Sequence, residues 1–227
     1  MSEALERLSR RIGYTFSDPG LLEAALTHRS AGSRNNERLE FLGDGVLNCV
    51  IGEAVFHARS DSPEGDLSRL RASLVREATL GEIARGLDLG EHIRLGTGEM
   101  KSGGFRRASI LADALEALVG AVYLDGGFGA AREVLLGLYA KRLATLPDAD
   151  ELKDAKTRLQ EYLQSRHMAL PEYSVVDVSG EPHRQSFRVA CRIEDAGVQT
   201  CGNGRSRRRA EQAAAQQALE TLQRERC

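Results

Sequence analysis

The sequence predicts an all-α domain followed by a small α+β domain whose elements run α-β-β-β-α. Three observations carry that expectation. Through residues 5–143 apolar side chains recur every three or four positions, the period of helices packed on one face, and no stretch alternates as a strand would. Residues 146–151 then lose all periodicity and read as a linker. Beyond them a period of two emerges, clearest in residues 186–193, between an amphipathic helix and an alanine-rich one. The expected boundaries are 1–146 for the helical domain, 147–152 for the linker and 153–224 for the second domain.

Composition sharpens the division. The chain has 227 residues, room for two domains, and a formal net charge of −2. From Lys153 onward 13 Lys and Arg face 10 Asp and Glu, so the second domain carries +3 and the remainder −5. An acidic module joined to a mildly basic one is the result. Trp is absent and aromatic residues make up 5%, which argues against a large base-stacking platform. Cys49, Cys191, Cys201 and Cys227 show neither CxxC spacing nor a nearby His, so a zinc site is not expected. Cys49 is expected to pack as a small hydrophobe, and Cys191 and Cys201 to remain thiols even if a turn near Ala196 sets them face to face. Residues 1–11 are charged and amphipathic, and no apolar run approaches the roughly 20 residues of a bilayer span. A soluble cytoplasmic protein is expected.

In order along the chain, Leu5, Leu8 and Ile12 mark a first short helix. Asp18-Pro19-Gly20 is a helix start, and Leu21, Leu22, Ala25 and Leu26 carry that helix on to residues 27–30. After a loop at 31–35, a long helix runs to about Arg59. Ser62-Pro63-Glu64 opens the next helix, with Leu67, Leu70, Leu74 and Val75 inward, and another spans about 78–87. The glycine-rich residues 96–104 lack the Gly-Lys-Ser/Thr ending of a phosphate cradle and read as a flexible connection. A nearly all-apolar helix follows at 109–122, is ended by Asp125-Gly126-Gly127, and gives way to a last helix at about 130–143. In the second domain a helix at 154–166, strands at 173–178, 186–193 and 198–201, and a helix capped by Ser206 that runs to about Leu222 complete the order.

Two of these helices carry charges that stability alone does not call for. Glu37, Glu40 and Asp44 are spaced three and then four residues apart, which stacks three carboxylates along one helix side beside the core positions Leu39, Leu42, Val46 and Leu47. Asp113 and Glu116 are the only acids in the apolar helix at 109–122, again on one face. Burying an unpaired carboxylate costs several kcal/mol (about 3–5). Two such faces therefore point to one shared site that holds a cation. Hard oxygen donors without His or Cys indicate Mg²⁺, with Mn²⁺ as substitute, rather than zinc.

The second domain reverses the sign. Arg205, Arg207, Arg208 and Arg209 crowd the start of the last helix, where the helix dipole already disfavours cations, so an anion is expected to dock there. Thr157, Gln160, Glu161 and Gln164 form a polar face on the first helix, and Gly180-Glu181-Pro182-His183 is an exposed turn. Together these three surfaces could touch two grooves of a duplex and the phosphates between them.

Read together, these segments resemble bacterial ribonuclease III almost end to end. The specific signature is Asn36-Glu37-Arg38-Leu39-Glu40-Phe41-Leu42-Gly43-Asp44. It is supported by Leu26-Thr27-His28-Arg29-Ser30, Gly65-Asp66-Leu67-Ser68 and Ile110-Leu111-Ala112-Asp113-Ala114-Leu115-Glu116-Ala117. Lys156-Thr157-Arg158-Leu159-Gln160-Glu161 and Arg207-Arg208-Arg209-Ala210-Glu211-Gln212-Ala213-Ala214-Ala215 resemble a double-stranded-RNA-binding domain, with Arg where such domains often have Lys. Gly45 stands where the family usually has Ala or Ser.

The resemblance implies an all-α endonuclease domain that cleaves double-stranded RNA, in rRNA, mRNA and other structured-RNA processing. By it, Glu40, Asp44, Asp113 and Glu116 hold Mg²⁺ at the scissile phosphate, with Asp44 and Glu116 catalytic. Hydrolysis by two metal ions would leave a 5′-phosphate and a 3′-hydroxyl. Glu37 and Glu64 are auxiliary candidates. RNA contacts fall to Thr157, Gln160, Glu161, Gln164, His183, Arg207, Arg208 and Arg209, which would read A-form shape over ~16 bp. A homodimer acting away from membranes would cut both strands. Two other readings are a relative that grips duplex RNA without cutting it, and an unrelated all-α phosphohydrolase acting on nucleotides.

Overall fold

The structure is a computed structural model that describes residues 3–181 and 183–224. Pro182 of the expected turn and the fourth cysteine, Cys227, lie outside the described residues. The chain forms two compact units, one ending at Ala149 and the other beginning at Asp150.

The first unit contains α1 (Glu3–Ile12), α2 (Pro19–Ala25), α3 (Glu37–Ala58), α4 (Glu64–Val75), α5 (Glu77–Gly86), α6 (Thr97–Lys101) and α7 (Ala108–Ala144). Pro19 opens α2, and Asp18 caps it by accepting from the Gly20 N–H at 2.8 Å. Leu22, Leu47, Ile51, Leu70, Leu80, Leu111, Leu115 and Leu118 are almost fully buried, so the helical period seen in the sequence does mark the inward faces.

The pair α3 and α7 positions the site. A Cβ on Gly43 of α3 would lie 1.8 Å from the Glu116 carbonyl oxygen of α7, and one on Gly120 would lie 2.2 Å from the Leu39 carbonyl oxygen. Both glycines sit inside helices, where Gly costs about 1 kcal/mol relative to Ala. Here each lets one backbone press on the other, which brings the acidic residues of the two helices to a common cleft.

Five local expectations are corrected. The helix begun at Pro19 stops at Ala25, and Thr27 pairs instead with Arg94 in an isolated parallel bridge, the one trace of β-pairing among the described residues of this unit. The glycine-rich segment is not open loop: it forms α6 and a 3₁₀ turn at Gly104–Arg106. The two expected helices on either side of Asp125-Gly126-Gly127 form α7, which is interrupted only at Gly127 with φ 77° and ψ −177°. Asp125 at that break accepts from the Tyr14 hydroxyl at 2.7 Å and from the Ser17 and Asp18 N–H groups, each at 2.8 Å, so it ties the entry of α2 to α7. Leu67 and Val75 are only partly covered, whereas Leu70 and Leu74 are buried. Cys49 is exposed rather than packed, because its side of α3 has no helix of this unit over it; Phe41 and Phe56 of α3 are exposed as well.

The second unit is α8 (Ala155–Gln164), β1 (Glu172–Ser179), β2 (Ser186–Ile193), β3 (Val198–Gly204) and α9 (Arg207–Arg224). The strands form an antiparallel sheet in the order β1-β2-β3. Leu159, Leu163, Cys191, Ile193, Ala214, Ala215, Ala218 and Leu219 build its core; the alanines let α9 lie close to the sheet. Cys191 pairs across the ladder with Thr200, and Cys201 with Ala190, so the two thiols face opposite sides of the sheet and both are free.

Candidate active site and RNA-binding surface

Ligand oxygens of Glu40, Asp113 and Glu116 lie within 4.8 Å of one another. All three residues are partly buried. Glu40 reaches the cluster from α3, and Asp113 and Glu116 reach it from successive turns of α7. Burial raises the pKa of each. For Glu116 the negative charges of Asp44, Asp113 and Glu40 add to burial, and its carboxyl is pushed up to about 8. Glu40 is raised by burial and then by Asp113 and Glu37, while Arg29 partly offsets this. Asp113 is raised by burial, with His28 and Arg29 pulling the other way. The donors are hard oxygens crowded until they repel, the chemistry that a divalent cation relieves.

Asp44, the fourth expected ligand, follows one turn after Glu40 but does not enter the trio. It is exposed, and the Asn48 side-chain amide donates to its Oδ1 at 2.7 Å and to its backbone oxygen at 3.0 Å. Its charge nevertheless makes the largest electrostatic contribution at Glu116. Glu37 is exposed at the start of α3 and faces Arg29 at 3.5 Å. Glu64 is exposed at the start of α4, where it accepts from the Ser68 hydroxyl at 2.6 Å. A cavity of about 320 Å³ beside the trio includes Glu37 but not Glu64 in its lining.

Sequence reasoning missed three contributors. Gly43 and Gly120 set the helix approach; the signal was a glycine inside each apolar helix. Asn48, which orients Asp44, had no signal in spacing or composition.

In the second unit, Asp154 caps α8 by accepting from the Thr157 N–H at 2.9 Å. Gln160, Glu161 and Gln164 are exposed and Thr157 is partly so; Glu161 accepts from Lys153 Nζ at 2.7 Å. Lys156 Nζ reaches Glu211 of α9 at 2.8 Å, which joins the starts of the two helices. Arg207 also pairs with Glu211 at 2.8 Å, so part of its charge is already answered. Arg208 and Arg209 are exposed, and no salt bridge engages either among the described residues. His183 lines a hollow of about 670 Å³ with Arg184, Gln185, Ser186 and Arg205. Arg184 was not anticipated; it becomes visible only when the β1–β2 turn brings it beside Arg205.

Residues 18–143 match the Ribonuclease-III-like family and residues 155–222 match the double-stranded RNA binding motif. Ribonuclease 3 of Alkalilimnicola ehrlichii is 60% identical over 96% of both chains. The chain belongs to the ribonuclease III family. Ribonuclease 3 of Azotobacter vinelandii, another relative, is 59% identical over 98% of this chain and 97% of its own. Among solved structures, the ribonuclease III nuclease domain of Campylobacter jejuni matches with a TM-score of 0.61 and 47% identity, covering 62% of this chain and 99% of that one. The carboxylate trio thus lies within the ribonuclease-III-like segment, and its donors fit the divalent metal that the family implies. Among the described residues no helix is long and apolar enough to cross a membrane.

Proposed function

We propose that this ribonuclease III family endoribonuclease cuts both strands of duplex RNA as a Mg²⁺-dependent homodimer, leaving 5′-phosphate and 3′-hydroxyl ends. The observation that carries the reading is the convergence of Glu40, Asp113 and Glu116, where burial and then the neighbouring carboxylates push the Glu116 carboxyl up to about 8. These three residues would hold the metal, Mn²⁺ substituting for Mg²⁺, and Asp44 is the fourth donor. Four carboxylates match the charge of two such ions. When bound, the metal supplies Lewis acidity at the scissile phosphate and makes water a stronger nucleophile.

The protein's own groups do the rest. Asp44 and Glu116 act as catalytic carboxylates, and Asn48 orients Asp44 through its side-chain amide. Glu116 would hold a cation as the carboxylate, so metal binding would be coupled to loss of its proton. We assign catalysis to residues 1–146, a linker to 147–152 and RNA binding to 153–224. In the last of these, the α8 face (Thr157, Gln160, Glu161, Gln164), His183 and the arginines of α9 would grip A-form RNA by shape and phosphate contact. The exposed start of α9 supports this, since its dipole and Arg208 and Arg209 attract an anion together.

The dimer is supported by an apolar face that a lone protomer leaves open. Phe41 is 84% exposed and Leu124 is 54% exposed, and both border a cavity of about 850 Å³ that Leu21, Ala24, Leu39 and Leu42 also line. A protruding ring beside an apolar hollow is self-complementary across a two-fold axis. A region involved in dimer formation is described for the Campylobacter jejuni nuclease domain. We place the enzyme's work in the cytoplasm, on structured transcripts that include rRNA and mRNA precursors.

The test is long duplex RNA incubated with the protein in Mg²⁺ and in chelator. Short duplexes should accumulate only with the metal. Binding without cleavage under either condition would overturn the reading.

A further inference from the structure

We propose that the turn carrying His28 and Arg29 is a clamp for a phosphodiester of the RNA strand next to the linkage being cut. The inference rests on the nuclease reading of the carboxylate trio and adds residues which that reading does not use.

The cavity of about 320 Å³ beside the trio is lined by Glu40 and Asp113 and also by His28, Arg29, Asn36 and Arg107. Carboxylates alone repel a polyanion. The metal they hold can attract the linkage being cut, but the neighbouring phosphate needs donors supplied by the protein. His28 and Arg29 are close enough for their charges to be felt at Asp113, and that of Arg29 is felt at Glu40 too. Asn36 is only 2% exposed, and its Nδ2 has no hydrogen-bond partner among the described residues. Glu37 and Glu99 also line the cavity, and Arg107 is already held by Glu99 at 3.2 Å, so the donors left open are the His28 ring, the loosely held Arg29 and the Asn36 amide.

The turn is built rigidly. The His28 N–H donates to the Arg94 carbonyl at 3.0 Å, the Arg94 N–H donates to the Leu26 carbonyl at 2.7 Å, and the Ala31 N–H closes the turn on the His28 carbonyl at 2.8 Å. His28 Nδ1 accepts from the Ser30 N–H at 3.2 Å and lies 2.8 Å from the Ser30 hydroxyl, which itself accepts from the Gly96 N–H at 2.9 Å. Ser30 engages Nδ1 from both its hydroxyl and its N–H, so Nε2 is the ring nitrogen left for a ligand. Arg29 is 70% exposed and is held only loosely, by Glu37 at 3.5 Å. Glu37 thereby gains a role: it orients the guanidinium until a phosphate takes its place.

A methylphosphonate scan tests the clamp. Full-length protein is given a short duplex RNA with one cut site, in which each linkage flanking the cut is neutralised in turn. Single-turnover cleavage is read in Mg²⁺ and binding in chelator. For the wild type, neutralising the clamped linkage should cost about tenfold, the range of one charge-assisted hydrogen bond. Arg29→Gln and His28→Ala should show a similar loss on unmodified RNA and no further loss at that linkage. Arg29→Gln should also flatten the dependence of log K on log salt by about 0.9, one phosphate contact. A linkage profile and a salt slope identical to wild type in Arg29→Gln, whose exposed side chain is not needed for folding, would overturn the proposal. So would a His28→Ala protein that melts earlier but keeps the wild-type profile, which would make the ring structural. Wild type that binds RNA but never cuts would refute the nuclease reading instead, and the binding arm would still decide the clamp.

Discussion

The two units handle charge in opposite ways. In the first, Glu40, Asp113 and Glu116 are partly buried and face one another, and among the described residues no Lys or Arg forms a salt bridge with any of the three. In the second, even partly buried charge is answered locally: Lys156 and Arg207 share Glu211, and Lys153 holds Glu161, while Arg208 and Arg209 lie at the surface. Charge concentrated in a cleft creates a demand for a metal at one point. Charge spread over a surface provides adhesion along a duplex without reading its sequence.

The sharpest way to break the comparison is Glu116→Gln. Cleavage in Mg²⁺ should fall on the order of 10³-fold or more, while binding to duplex RNA in chelator stays within about twofold. Single-turnover cleavage beside a binding titration checks both halves. A comparable loss in binding would mean that the two charge systems are not separate.

Gly43→Ala attacks the helix contact that creates the cleft. With the Glu116 carbonyl 1.8 Å from the added carbon, α3 and α7 must separate. Stability should fall by roughly 3 kcal/mol or more, read by denaturant or thermal melting. An unchanged melting temperature would show that the two backbones have room to give.

Crowding at Glu116 also predicts a pH trend in metal-free protein. The folded state keeps this proton up to about pH 8, whereas an unfolded chain releases it near the ordinary 4.5. Folding therefore binds a proton between those values. The contribution of this group to stability is full below 4.5 and is lost as pH rises through 8. From about pH 5 to about pH 8.5 in chelator, Glu116→Gln should gain on wild type by roughly 3–6 °C in Tm. A constant difference across that span would count against the crowding.

The smallest effects belong to the surface. Arg208→Ala and Arg209→Ala should each lower the salt slope of RNA binding by about 0.9. Arg207→Ala should lower it less, because Glu211 already shares that charge. Equal slopes for all three would remove the distinction between Arg207, which Glu211 holds, and its two neighbours.

Much of this was legible in the chain itself, and the reason differs from place to place. Period located α1, α3 and α8, and period with the Ser206 cap located α9, because those signals act between near neighbours along a helix. Spacing put Glu37, Glu40 and Asp44 on one helix face and Asp113 and Glu116 on another, because acids on apolar helix faces demand an explanation from outside the helix; which of the five converge was not in the spacing. Asp44 satisfies the same spacing, yet its carboxylate stays outside the trio and accepts from Asn48. Cys49 reads as core and is exposed, because apolar character does not reveal whether the covering surface belongs to the same protomer. The glycine-rich segment folds as α6 because local backbone hydrogen bonds won over glycine's freedom there.

By itself, then, the sequence determined which residues carry charge into apolar surroundings, where the chain changes texture, and the sign of each domain's charge. Tertiary structure alone decided that three of the four acids meet, that Gly43 and Gly120 are what allow it, and that His28 and Arg29 stand beside them. Helix period acts over one or two turns. The meeting of α3 with α7 depends on residues some 70 positions apart, Gly43 against Glu116, and only packing brings such residues together.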